Sequence, residues 1–134
     1  MPAIKADEEK LLVRWEETYK KGLLTFWLLL FLHERPAYAY EAGNAVAELS
    51  QQTITVDENS VYRALNRFED LGLVRSELRD SEIGPRRKYY RLTRSGTELL
   101  AGFIRRNILL FDQPALRERI RTVLADEGGE ERSI

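Results

Sequence analysis

Two clusters of side chains carry the chemistry this sequence offers. The first is Arg86-Arg87-Lys88, three cations in a row after Gly84-Pro85 and before Tyr89. Such a run suits phosphate oxygens, which accept charge-assisted hydrogen bonds from arginine and lysine. The second lies between Asp57 and Gly72. There Asn59, Tyr62, Arg63, Asn66, Arg67 and Asp70 share one side of a helical repeat, and Val61, Leu65 and Phe68 share the other. In a major groove, arginine gives forked hydrogen bonds to guanine and asparagine pairs with adenine. Ser60 sits at the edge of this face near the helix start, where backbone amides can hold a phosphate. A charged turn and a polar helix face also serve as ordinary solvated surface. Three consecutive cations exceed that use.

The distribution of charge points the same way. Net charge is −1, yet residues 59–94 hold nine basic and five acidic groups, against six and ten in residues 1–58. For a polyanionic partner, a local patch matters more than the total.

Other chemistries find little support. There is no cysteine, which excludes disulfides, thiolate zinc sites and cysteine nucleophiles. The single histidine, His33, closes an apolar helix, where the helix dipole favours a cation. Glu8-Glu9 and Glu16-Glu17 are adjacent pairs that diverge around a helix. No glycine-rich phosphate loop or nucleophile motif is present. Neither an enzyme nor a cofactor or metal is expected. The apolar stretch Leu23–Leu32 is about half the ~20 residues of a membrane-spanning helix. Met1–Lys10 is too polar and acidic for a secretory signal. A cytoplasmic protein away from membranes is expected.

The elements that must position the two clusters can be read from periodicity. Asp7–Lys21 predicts a helix with Leu12, Trp15 and Tyr19 on one side, free to run through Gly22 into Leu23–His33. Pro36 stops it. A second helix is expected over Tyr40–Leu49 and a turn over Ser50–Thr55. The third starts at Asp57, a suitable N-cap, and ends at Gly72. Two strands follow, Leu73–Arg79 and Arg87–Thr93, with Tyr90 and Leu92 inward and Tyr89 and Arg91 outward. A long helix is expected from Ser95, capped with Glu98, through Phe111. After Asp112-Gln113-Pro114, a short helix covers Ala115–Ala125, and Glu127–Ile134 reads as a mobile tail. This order predicts a mostly α fold with a two-stranded β wing, a winged helix-turn-helix. We divide it into an N-terminal helical extension (1–21), a DNA-binding domain (22–94) and a C-terminal dimerisation segment (95–134).

From Tyr38 to Leu100 the chain resembles the PadR family of transcriptional regulators. Ala37–Glu41 (AYAYE) is similar to that family's tyrosine-containing entry to the second helix. Ser60–Val74 (SVYRALNRFEDLGLV) is similar to its recognition helix, and Gly84–Leu100 (GPRRKYYRLTRSGTELL) to its wing. Ala39 stands where the family commonly has glycine, and Arg63 where proline is frequent. The resemblance implies a homodimeric regulator, usually a repressor, on a palindromic operator in double-stranded DNA. By carry-over, Ser60, Tyr62 and Arg63 meet DNA from the recognition helix, and Arg86, Arg87 and Lys88 from the wing. Tyr40, Asn59, Asn66, Arg67 and Tyr89 complete the expected contact set. Two other readings are a winged helix used for protein contacts and a nonspecific, chromatin-like DNA-coating protein.

Apolar faces on the terminal helices exceed what one small core can cover, and such patches usually meet a partner. We expect a two-fold homodimer through Leu12, Trp15, Tyr19, Leu99, Phe103, Leu110, Leu116 and Ile120. Its recognition helices would sit roughly 34 Å apart, one turn of DNA. The resemblance also implies a small aromatic effector near that interface, for which Trp15, Phe26, Trp27 and Phe103 are the candidate lining.

Overall fold

The structure is a computed structural model and describes residues 4–129. Helix α1 (Ala6–Glu34) runs unbroken across Gly22, so the expected extension and the first helix of the domain are one element. It ends where Arg35, preceding Pro36, turns extended at φ −164°, as the steric demand of proline requires. Only the second half of α1 is buried, through Leu28, Leu29, Phe31 and Leu32. Helix α2 (Ala39–Leu49) packs against it, and α3 (Glu58–Asp70) packs against α2. Ala42 and Val46 from α2, and Val61, Leu65 and Phe68 from α3, meet α1 in one core.

The α2–α3 turn is fixed by a buried hydroxyl. The Ser50 oxygen accepts from the Ile54 amide at 3.1 Å, and Ile54 itself is buried. Gln51 and Gln52 take positive φ within this turn. Gly72 lies just beyond α3 at φ 78°, the conformation its position predicts.

Strands β1 (Val74–Arg79) and β2 (Arg87–Leu92) form an antiparallel hairpin, the wing. Its other edge is partly closed by Ala37, which exchanges two backbone hydrogen bonds with Tyr90 at 3.0 and 2.8 Å. Tyr90 is fully buried and Arg91 exposed, as expected.

The last third departs from the expected layout. Helix α4 (Arg94–Phe103) is capped by Thr93, not Ser95: the Thr93 oxygen accepts from the Gly96 amide at 3.1 Å and its hydroxyl donates to Gly72 O at 2.7 Å. Gly96 explains the earlier start. A Cβ there would stand 2.2 Å from Leu73 O, so the first turn of α4 lies directly against the chain entering β1. Glu98, expected to complete a capping box with Ser95, instead pairs with Arg94 at 3.1 Å. The long helix expected through Phe111 also breaks up: α4 ends at Phe103, a π turn covers Ile104–Ile108 and a 3₁₀ turn Leu109–Asp112. Helix α5 (Pro114–Asp126) then begins on proline, which needs no amide partner at that position. Residues 130–134 of the expected mobile tail, and residues 1–3 of the extension, lie outside the described residues. No helix among the described residues is long and apolar enough to cross a membrane.

Candidate nucleic-acid interface

Asp57 organises the start of α3. Its carboxylate accepts from the Ser60 amide at 2.9 Å and the Ser60 hydroxyl at 2.8 Å, and the Ser60 oxygen in turn accepts from Arg63 Nη2 at 3.2 Å. The backbone hydrogen bond from Ser60, then the one from its side chain, hold the Asp57 carboxyl below its ordinary value. From this start the helix turns Val61, Ala64, Leu65 and Phe68 into the core. Asn59, Tyr62, Arg63 and Arg67 face solvent, and Ser60 is half-buried.

Asn66 is different. It is half-buried, and its side-chain oxygen already accepts from the Tyr90 hydroxyl at 2.7 Å and from Lys88 Nζ at 3.2 Å. Lys88 also pairs with Glu69 at 3.3 Å and lies over the Tyr90 ring at 5.3 Å. The Ser76 amide donates to Glu69 at 3.0 Å, and the Ser76 hydroxyl bonds the same carboxylate oxygen. Asn66 and Glu69 on α3 therefore clamp both strands of the wing. The Ser76 hydroxyl, followed by the bond and charge of Lys88, holds Glu69 below its ordinary value against the opposing effect of burial. Burial works to lower Lys88, but the Glu69 hydrogen bond and the facing Tyr90 and Glu69 groups outweigh it and raise its pKa.

The three cations expected to act together are thus divided by the strand. Lys88 shares the inner face with Tyr90, turned toward α3. Arg87 is on the outer face, its guanidinium 4.4 Å from the Tyr38 ring centroid. Arg86, at the tip, pairs with Asp80 at 2.8 Å with both side chains well exposed. Tyr89 is half-buried, edge-on to Tyr38 at 5.3 Å and beneath Arg79 at 4.6 Å. Tyr38 also stacks on Tyr40 at 6.5 Å, and Tyr40 is exposed at the start of α2. A continuous aromatic and cationic strip therefore joins the α2 start to the wing. Glu69, Ser76 and Arg79 were not among the residues expected at the site. Period-two alternation, carried from Tyr90 back to Lys88, was the signal that separates the cations.

Of the residues expected at a dimer contact, Trp15 is 74% exposed, and Tyr19, Leu99, Leu110 and Ile120 are also exposed. Leu12, Phe103 and Leu116 are half-buried. Of the candidate effector lining, Phe26 meets Trp27 at 5.2 Å and Phe103 at 5.7 Å. Trp15 does not join them; it lies roughly 18 Å from Trp27 along α1, at about 1.5 Å of rise per residue.

Comparison with known proteins agrees with this architecture. The sequence profile described as "Transcriptional regulator PadR-like family" matches residues 28–102, more than half of the chain. A PadR family regulator from Eggerthella lenta is 27% identical, with a TM-score of 0.67 over 81% of this chain and 92% of that one. A PadR family regulator from Clostridium difficile is also 27% identical, with a TM-score of 0.58 over 74% of this chain and 99% of that one. Bacillus subtilis PadR, solved in complex with operator DNA, shares the fold at 21% identity and a TM-score of 0.56, over 61% of this chain and 46% of its own. A winged helix whose recognition helix and wing lie within the matched segment, in a chain that the profile covers by more than half, belongs to the PadR-like family of transcriptional regulators.

Proposed function

We propose that this regulator is a cytoplasmic homodimeric repressor that binds a palindromic operator, with α3 in the major groove and the wing along the adjacent backbone. The observation that carries the reading is the clamp between α3 and the wing. It leaves Asn59, Tyr62, Arg63 and Arg67 exposed on the helix and Arg86 and Arg87 exposed on the hairpin, held in one posture by Glu69 and Asn66. Arginine and asparagine on such a helix suit base edges, and the outward cations suit phosphates. A solved relative, Bacillus subtilis PadR, binds operator DNA. The exposed apolar side chains of α1, α4 and α5 supply the material for a two-fold contact. In this reading Phe26, Trp27 and Phe103 are where a flat aromatic effector binds, with quenching of tryptophan fluorescence as its readout.

Selection of bound duplexes from a random pool at moderate salt tests the proposal. It is expected to enrich a palindrome whose half-sites are about one helical turn apart. Recovery of unenriched sequence, or of an asymmetric site bound by a monomer, would contradict it.

A further inference from the structure

The solvent side of the wing carries more positive charge than contact at its tip requires. The register sets Arg75 opposite Arg91 and Arg79 opposite Arg87. All four lie on the face turned away from α3, because Ser76 and Tyr90 reach Glu69 and Asn66 from the other face. Like charges directly opposite each other work against a hairpin. At the tip end the conflict is eased: Arg79 bonds Glu77 at 2.6 Å and lies over Tyr89, and Arg87 lies over Tyr38. At the base it is not. The Arg75 and Arg91 side chains are exposed and have no hydrogen-bond or ion-pair partner among the described residues. Together with Arg94, Leu92 and Thr93 they line one shallow cleft. The only counter-charge on Arg94 among the described residues is Glu98, with both side chains largely exposed.

We infer that this arginine cluster at the wing base is a second phosphodiester-binding site, holding the backbone of duplex that flanks the segment read by α3. The inference rests on the DNA-binding reading above. Two arginine pairs four residues apart span about 13 Å of ribbon at ~3.3 Å per residue. A DNA strand presents more than one phosphate over that length. The ladder includes Arg87 and is continuous with Arg86 at the tip, so a strand leaving the tip has a charged track to follow toward the base. Flanking arms of the bound duplex are therefore the occupant, rather than an acidic protein.

The test uses the duplex enriched from the random pool in two lengths, one ending at the edges of the palindrome and one extended by two helical turns on each side, about 10 base pairs per turn. For the parent, the long form is expected to bind more tightly, with a salt slope steeper by about 0.9 for each arginine engaged. In the double variant R75A/R91A the gain from the flanks shrinks and the extra slope falls by about 0.9 for each arginine removed, while affinity for the short form is retained. The free variant should melt at or above the parent temperature, because the facing charges are gone. A parent that gains nothing from the flanks overturns the inference, as does a variant that keeps the gain or weakens equally on both lengths. A parent that binds neither duplex overturns the regulatory reading itself, and this inference with it.

Discussion

The two faces of the wing are built from alternate residues of the same twelve-residue ribbon and do opposite work. The inner face sets Val74 opposite Leu92, Ser76 opposite Tyr90 and Leu78 opposite Lys88. Toward the base Val74 and Tyr90 are buried and Ser76 and Leu92 half-buried, and the polar atoms of Ser76 and Tyr90 are satisfied by Glu69 and Asn66. The outer face sets arginine against arginine at two of its three rungs. One face fixes the posture of the hairpin on the recognition helix, and the other is left with charge that the fold does not neutralise. Composition alone, which counts the cations of residues 86–88 as equivalent, misses the division. What decides the role of each is its parity along the strand.

Neighbouring substitutions should therefore differ sharply. Tyr90→Ala removes a fully buried ring and should cost about 3–5 kcal/mol of stability. Arg91→Ala, one residue on, should change stability by no more than about 0.5 kcal/mol. Chemical denaturation of the two variants checks this, and similar destabilisation in both would erase the distinction between the faces.

The exposed side of α3 should behave like the outer face of the wing. Arg63→Ala is expected to leave the melting temperature close to that of the parent and to weaken the preferred duplex by about 1–3 kcal/mol, roughly 5-fold to 150-fold, because a base edge goes unread. Competition binding against a random duplex reads it. If Arg63 instead proves to support the fold, its bond to Ser60 outweighs any contact outside the chain.

A smaller, pH-dependent effect belongs to the inner face. Glu69 is held below the ordinary glutamate value of 4.5, so its contribution is complete above that value and is lost as pH falls through its lowered pKa. The difference in melting temperature between the parent and Glu69→Gln should be constant near neutrality and shrink as pH falls from 4.5. A difference that grows toward acid would mean that Glu69 is not the anion of the clamp.

Much of this was legible in the residues. The Asp57 cap, the core side of α3 and Gly72 follow from local rules, because one helix and its ends are set by near neighbours in sequence. The strands and the burial of Tyr90 follow from alternation. The cap of α4 was not legible, since Thr93 and Ser95 both have the right chemistry and only contacts with the chain before β1 select Thr93: its own bonds to Gly72 O and Leu73 O and the approach of Gly96 to Leu73 O. Nor was the break after Phe103, where apolar periodicity continues while the backbone widens and then tightens. The role of Asn66 was hidden for a related reason. A helical projection gives it the same face as Arg63, and only the folded hairpin brings the Tyr90 hydroxyl and Lys88 to its oxygen.

The central claim is that cations on the two faces of the wing meet different partners, and the salt dependence of DNA affinity tests it most directly. Plotted on logarithmic axes, Arg87→Ala should lower the slope by about 0.9 for each phosphate it no longer neutralises. Lys88→Met, which removes a charge already matched inside the protein by Glu69, should keep the parent slope even if affinity falls through a looser wing. An equal drop in slope for the two variants would contradict the account.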